Sequence, residues 1–459
     1  MATFKWSNLV DGSKITFNFN ADVLDIDVNA TAASAILARD KDGLAQLTIL
    51  GKTVTLAGTI PENLTTTNVF FSQTGSQLMV GDNTTGVAGD PLPNNLTGTT
   101  QDDQIHGLGG ADMLNGLAGH DLIYGNAGAD NIVGSAGNDT VYAGPDADTV
   151  NYKGQADANI LVRGGLGGDL IYGSLGNDRL NGDGDKDTIY GGLGKDVIEG
   201  GTEDDLIYGN QEDDLITVSG TSPVGQDTVF GGQGNDNINY ANVLNSMNDA
   251  QLIYGNLGND SIQGGLGADT VFGGQQDDTI KGGGGKDSLL GNLGNDSIEG
   301  NFGNDILVGG AGDDSLFGGK ESDILEGGTG VDLLQGGREN TPQAGVNADV
   351  FVFSPGDSGA TAATADTIAD FHTIEDDLDL IFSGTAGNYL EQKVAGGYAE
   401  AFAQAQILMN QNAAVQYVFI AGDTNGYLFA HYGQSPVIDF SIILNNKSLV
   451  TDFGFSDII

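Results

Sequence analysis

Gly255-Asn256-Leu257-Gly258-Asn259-Asp260-Ser261-Ile262-Gln263 runs directly into Gly264-Gly265-Leu266-Gly267-Ala268-Asp269-Thr270-Val271-Phe272, and the same metre continues to Asp332-Leu333-Leu334-Gln335. Within this block an Asp returns every nine residues, at Asp260, Asp269, Asp278, Asp287, Asp296, Asp305, Asp314, Asp323 and Asp332. Five residues before each stands a Gly, and two residues after each stands an aliphatic side chain such as Ile262, Val271 or Ile280. A fixed internal period decides the architecture before any local propensity does.

The metre extends toward the N-terminus. Asp103, Asp112, Asp121, Asp130, Asp139, Asp148 and Asp157 keep the nine-residue spacing; after three extra residues it resumes at Asp169, Asp178, Asp187, Asp196, Asp205 and Asp214, and Asp227 and Asp236 follow. The third residue of the Asp-x-U triplet is aliphatic in 23 of these 24 units, the exception being Asn159, so the repeat is not a flexible acidic linker. Insertions around Pro223 and at Tyr240–Gln251 fall between units and are expected to bulge outward.

The unit is Gly-Gly-x-Gly-x-Asp-x-U-x, with positions one to nine counted from the first Gly. Glycines permit positive φ, so the first six residues form a turn whose carbonyls converge near the Asp at position six. The x-U-x that follows reads as a three-residue strand with U pointing inward. Two units then make one 18-residue coil, with two parallel sheets face to face around a thin aliphatic core. The fold class expected is all-β: a parallel β-roll with a small N-terminal β module and a mainly β C-terminal cap containing one helix.

Two dozen copies in phase resemble the RTX (repeats-in-toxin) family of hemolysin-type calcium-binding repeats, over about half of the chain. The resemblance implies calcium as the cofactor, held between the turns of units n and n+2. Calcium takes roughly six to eight oxygens at about 2.3–2.6 Å, from carboxylates and carbonyls, and the repeat supplies both. The candidate ligands are the Asp residues of the metre named above, except Asp157 beside the first slip. Uninterrupted blocks of seven, six and nine units offer five, four and seven n/n+2 pairs, so roughly 16 ions or more are expected, with folding driven by the metal.

Composition agrees with a cation requirement. Asp and Glu number 63 against 16 Lys and Arg, a formal charge of −47, which disfavours nucleic acid and anionic membranes as partners. Sixteen divalent ions would lower it to about −15. With no Cys, disulfides and thiolate sites are excluded, and no apolar run is long enough for a transmembrane segment. The opening Met1-Ala2-Thr3-Phe4-Lys5-Trp6 does not read as a classical signal peptide.

The flanks differ from the array. Residues 1–81 read as a β module, with strand alternation at 15–19, 23–28, 52–56 and 77–80; 82–97 read as a linker, 98–340 as the roll and 341–459 as a C-terminal cap. A helix-like stretch spans 389–412, broken at Gly396-Gly397. The cap resembles the C-terminal region of serralysin-type proteins, which implies an uncleaved type I secretion signal, the type I secretion machinery as a partner, and an extracellular or cell-surface location.

Position nine alternates. Tyr172, Tyr190, Tyr208, Phe230, Tyr254, Phe272, Leu290 and Val308 interleave with Asn181, Glu199, Thr217, Asn239, Gln263, Lys281 and Glu299, so one outer face is expected to be aromatic-aliphatic and the other polar. Such a ladder supports its own sheet or docks a partner. At ~4.8 Å per coil the rod would be roughly 60 Å long.

Catalytic signatures are missing: none of His106, His120, His372 and His431 forms His-Glu-x-x-His, and Gly220-Thr221-Ser222-Pro223-Val224 lacks the final Gly of a nucleophile elbow. His106 and His120 read as surface or loop residues. The expectation is therefore no enzyme, but a secreted calcium-binding structural protein of the bacterial cell surface or extracellular matrix (S-layer- or sheath-like), capable of self-assembly. The alternative is a secreted adhesin or carbohydrate-binding module for cell-surface polysaccharide; a polysaccharide epimerase or lyase fits less well because Lys and Arg are scarce. Ice binding fits poorly, with Thr at position three only at Thr100, Thr202 and Thr329.

Overall fold

The computed structural model describes residues 92–156, 158–218, 225–241 and 249–337. Before them it describes 3–9, 13–16, 23–25, 36–39, 45–49, 52–57, 69–70 and 78–80, and after them 348–354, 357–359, 363–371, 376–380, 389–411, 416–430 and 438–445, with residues 11, 361, 447 and 458 singly. Asp157, the Pro223 loop, His372, His431 and most of 82–97 lie outside the described residues. The chain divides into two compact units, Met1–Ser219 and Gly220–Ile459.

In the first unit, alternate strands build two parallel sheets. One contains Gln104–Gly109, Leu122–Ala127 and Thr140–Pro145; the other contains Met113–Ala118, Asn131–Ala136 and Thr149–Asn151. Pairing joins residue i to i+18, as in Ile105 with Ile123 and Leu114 with Ile132, so two nonapeptides form one coil as the period predicts. Every U residue from Ile105 to Ile216 is at most 1 % exposed, and this single file of aliphatic side chains is the core. Leu78–Val80 and Asn95–Thr97 pair with the first strand of each sheet and cover its edge. Strands also occupy Val23–Asp25 and Lys52–Ala57, within or about the expected 23–28 and 52–56, and Ser13–Thr16, which overlaps the expected 15–19 only at Ile15 and Thr16.

The second unit repeats the plan from Thr228–Gln233 to Leu333–Gln335, again with i to i+18 pairing, as in Ile262 with Ile280 and Val271 with Leu289. One sheet continues through Asp366–Ile368 into Phe440–Leu444, which pairs antiparallel with Gly426–Ala430, itself antiparallel to Tyr417–Ala421. The helix Tyr398–Gln411 packs Ala401, Ala405 and Met409 on this ribbon beside Val418, Ile420 and Phe429. The 389–412 stretch is thus not one broken helix: Tyr389–Lys393 is a strand, and the helix starts after Gly396, whose φ of +119° turns the chain.

The strands are longer than the repeat suggests. Most run over six residues, positions seven to three of the next unit, because pairing resumes at positions two and three, as in Asn256 with Gly274 and Leu257 with Gln275. The turn contracts to positions four to six. Positions two and four carry positive φ, shown by Asn256 at 78° and Gly258 at 132°, which accounts for Gly or Asn at the former and Gly at the latter.

Candidate metal ladder

The 23 candidate aspartates are all buried, between 0 and 3 % exposed. Within each unit the roll places them in two columns, one along each edge, one coil apart. Oδ1 of most accepts the backbone N–H of the position-six residue one coil earlier: Asp103 N–H donates to Asp121 Oδ1 at 2.8 Å, and Asp260 N–H to Asp278 Oδ1 at 2.8 Å. The side chain of one coil thereby ties down the turn of the coil before it.

Oδ2 has a different environment. It points back at the position-one Gly of its own turn, beside the position-one carbonyl of the next coil. A Cβ at Gly282 would collide with the Asp287 carboxylate and come within 2.9 Å of the Gly300 carbonyl oxygen; Gly164 stands likewise between Asp169 and Gly182. Among the described residues, Oδ2 of Asp121, Asp130, Asp148, Asp169, Asp187 and Asp196 in the first unit accepts no hydrogen bond. The same holds in the second unit for Asp260, Asp278, Asp287, Asp296, Asp305, Asp314, Asp323 and Asp332. A buried carboxylate oxygen without a donor costs more than about 1–3 kcal/mol, and its neighbour here is a backbone carbonyl, another acceptor. Converging oxygens with no protons between them fit a hard divalent cation. No cluster of three His, Asp or Glu side chains exists among the described residues, so the remaining ligands have to be carbonyls.

Electrostatics agrees. Burial away from water, opposed by the backbone hydrogen bond and reinforced by neighbouring carboxylates, pushes Asp121, Asp148, Asp278 and Asp287 up to about 8. Asp169, Asp187, Asp260 and Asp314 rise to about 7 for the same leading reason. At neutral pH these sites need either a proton or a cation.

Two features of the ladder differ from the metre. Between Asp139 and Asp178 position six is filled by Ile160, not Asp157: Ile160 N–H donates to Asp178 Oδ1 at 3.0 Å, and Thr140 pairs with Leu161 across 21 residues. The coil follows the aliphatic pattern, Val162 taking the U position that Asn159 fails to fill. At the other end the ladder continues past Asp332. Asp323 N–H donates to Asp349 Oδ1 at 3.0 Å, Asp332 N–H to Asp366 Oδ1 at 2.9 Å, and Asp349 N–H to Asp376 Oδ1 at 3.2 Å. Burial also raises Asp349 and Asp366 to about 8. Phe351, Ile368 and Leu378 stand two residues after these three, a signal that irregular spacing conceals.

Position five forms a second, outer ladder. Asn177 N–H donates to Asn159 Oδ1, Lys195 N–H to Asn177 Oδ1, and Asp313 N–H to Asn295 Oδ1, which explains the recurrent Asn-Asp pair. His120 joins it, exposed, with Nδ1 accepting from Asn138 N–H at 2.9 Å. His106 is not a loop residue. It lies in a strand, half-buried, and stacks on Tyr124 at 4.7 Å, and burial lowers its pKa to about 4.

The position-nine ladder is real and changes sides. His106, Tyr124 and Tyr142 stack on the sheet that continues with Arg163 and Asn181, whereas Tyr172, Tyr190 and Tyr208 stack on the opposite one. In the second unit Phe230, Tyr254 and Phe272 stack at 4.9 Å, continuing into Leu290 and Val308. Rings lie within 11° of parallel, so each covers the face of the next and presents its edge to solvent.

These features define a class: a parallel β-roll whose turns line buried carboxylates against backbone carbonyls. The family model described as the RTX calcium-binding nonapeptide repeat (4 copies) matches residues 89–123, 124–158, 163–198, 190–220, 224–241, 248–280, 281–316 and 308–340. The chain belongs to that family and is a calcium-binding RTX repeat protein. No curated protein matches it as a relative. Among solved structures it is similar to the AlgE6R3 subunit from the Azotobacter vinelandii mannuronan C5-epimerase, at 22% identity and a TM-score of 0.18, over 48% of this chain and 82% of that one. It is also similar to a hyperactive, Ca2+-dependent, β-helical antifreeze protein from an Antarctic bacterium, at 16% identity and a TM-score of 0.28, over 72% of this chain and 92% of that one. Among the described residues no helix is long and apolar enough to cross a membrane.

Proposed function

We propose that the position-six aspartates are the side-chain ligands of a calcium ladder, and that the chain is a secreted structural protein of the cell surface or extracellular matrix. The observation that carries this reading is the file of buried Oδ2 atoms that accept no hydrogen bond. Calcium inserted between coils satisfies them together with the neighbouring carbonyls and offsets the burial, and the lesser mutual repulsion, that raise their pKa values. Extracellular calcium modules work at ~10⁻⁴–10⁻³ M, so the roll folds where calcium is plentiful and stays loose where it is scarce, a form that a type I exporter would accept.

Assembly is favoured over sugar binding by the surface. Leu257 and Leu293 at position three are 37 % and 52 % exposed, on the strands that carry Tyr254 and Leu290, so an apolar row runs beside the position-nine ladder of that sheet. Sugar rings bind aromatic faces, and the stacked rings here cover one another's faces. The reading assigns no catalytic role to any residue. Electron microscopy of the purified chain with calcium tests it: sheets or filaments that dissolve on chelation are expected. Persistent monomers that bind a glycan array would favour the adhesin reading.

A further inference from the structure

Each unit of the molecule contains one nonapeptide in which the repeat's two defining residues are both replaced. In the first unit Tyr152 stands at position one and Ile160 at position six; in the second Tyr240 and Gln251 take the same places. Backbone hydrogen bonds establish the equivalence. Tyr152 N–H donates to Tyr172 O and Tyr240 N–H to Gln263 O, as the position-one Gly173 donates to Tyr190 O. Ile160 N–H and Gln251 N–H donate to Asp178 Oδ1 and Asp269 Oδ1, as a position-six Asp does. The insertions at 153–159 and 241–250 therefore begin and end inside the roll: Tyr152, Tyr240, Ile160 and Gln251 are 0 to 3 % exposed.

What these side chains touch is the turn space that elsewhere holds only oxygens. Tyr240 Oη donates to Asp227 Oδ2 at 2.9 Å. The Tyr152 hydroxyl lies beside the Asp139 carboxylate, against Gly134, where it fills the room of a Cβ. Gln251 Oε1 accepts from Asp227 N–H at 2.8 Å, doing the work of an Asp Oδ1. Gln251 Nε2 donates to Gly225 O and Asp249 O, both at 3.0 Å, two position-four carbonyls of successive coils. On the far side of each interruption the next Asp is satisfied from its own turn: Asp178 Oδ2 by Ser174 N–H at 2.6 Å and Oγ at 3.0 Å, Asp269 Oδ2 by Gly265 N–H at 2.7 Å.

We infer that the two interruptions are metal-free splices: in the second unit a tyrosine hydroxyl and a glutamine amide take the place of calcium, and in the first the Tyr152 ring end occupies the turn space itself. In the second unit protons of neutral donors sit where a cation sits in the regular turns; in the first the Tyr152 hydroxyl fills that room against Gly134. Once the roll is folded, each insertion is thereby closed without an ion of its own, and the array loads its ions in blocks on either side. Tyr240 serves because its ring spans the turn and delivers a single proton to Asp227 Oδ2. Gln serves because its amide offers one acceptor to the Asp ladder and two donors to the carbonyls.

This inference rests on the calcium reading of the regular turns, and one experiment separates the two. Crystals of the full chain grown with calcium and soaked in terbium locate ions by anomalous scattering. Ions between regular coils, with none at the Tyr152–Asp139 and Tyr240–Asp227 turns, are expected. Ions at every turn, these two included, overturn the splices and leave the calcium reading standing; no ions anywhere sink that reading first. In solution, Gln251→Glu puts a carboxylate against Gly225 O and Asp249 O, and native mass spectrometry in calcium is expected to count one more ion than in the parent. Should that variant not fold, Tyr240→Phe keeps the shape and removes only the proton given to Asp227. Its melting temperature is expected to fall with the ion count unchanged, and a changed count contradicts the inference.

Discussion

At a single turn, Asp287 shows what calcium is asked to do. Its Oδ1 accepts the Asp269 N–H at 2.8 Å, and its Oδ2 lies buried against Gly282 without a donor. Asp287→Asn keeps the shape and the Oδ1 acceptor but discards the charge. With calcium present the variant loses about one ion and melts lower; in chelator it melts higher than the parent, because a carboxyl that burial pushes from 3.8 to about 8 has to take up a proton to fold at pH 7.5, and the amide does not. Paired calorimetric scans, with calcium and with chelator, check this sign reversal, and two shifts in the same direction would refute the ligand role. Gly282→Ala is expected to be harmful in calcium for a steric reason, since its Cβ would stand between the carboxylate and the carbonyl of Gly300. Ser288→Ala, one residue after the Asp, should leave the ion count unchanged.

At the level of the coil, stability comes from U residues, not from surface ion pairs. Ile280 is 0 % exposed in a core one side chain thick, with Ile262 and Ile298 as its paired neighbours on the sheet. Ile280→Ala should cost about 2–5 kcal/mol in calcium. The adjacent Lys281 pairs with Glu299 at 2.8 Å on the polar sheet, half in solvent, and Lys281→Ala should change stability by less than about 1 kcal/mol. Urea unfolding in calcium measures both, and equal losses would contradict the core assignment. The same coil explains how much was legible beforehand. Where the nine-residue spacing and the aliphatic position agree, as from Asp260 to Asp332, the ladder and the face of each residue follow from the sequence. At Asp157 they disagree: the Asp keeps the spacing, but Asn159 cannot fill the core, so the chain slips until Ile160 and Val162 do. Burying a U residue outweighs keeping an Asp in step; both sheets keep their alternation across the slip, and the aromatic row changes sheet because Arg163 follows Tyr142 on one and Tyr172 follows Asn151 on the other. Asp349, Asp366 and Asp376 obey the same local chemistry at spacings of 17, 17 and 10, which no fixed period detects. The six-residue strands were hidden for another reason. Positions one to three look like turn by their glycines, yet their backbones pair from coil to coil.

For the whole molecule, the charge of −47 becomes a statement about when the chain folds. Without metal, burial lifts Asp121, Asp148, Asp278, Asp287 and Asp323 from 3.8 to about 8. A carboxyl whose pKa is higher folded than unfolded binds its proton more tightly in the folded state. Its protonation therefore supports the metal-free roll fully below about pH 4, and that support is lost as pH rises from about 4 through about 8. Acid should thus stand in for calcium. In chelator, the far-UV β signal is expected to be weak at pH 8 and to grow as pH is lowered toward 5, a range that stays above the isoelectric point of about 4.1. With millimolar calcium the signal should stay level over the same range. The calcium midpoint should move to higher concentration as pH falls, since protons and calcium compete for the same Oδ2 atoms. A chelated chain whose β content is flat between pH 8 and 5, or which loses structure on acidification, would show that the buried carboxylates do not set the folding condition.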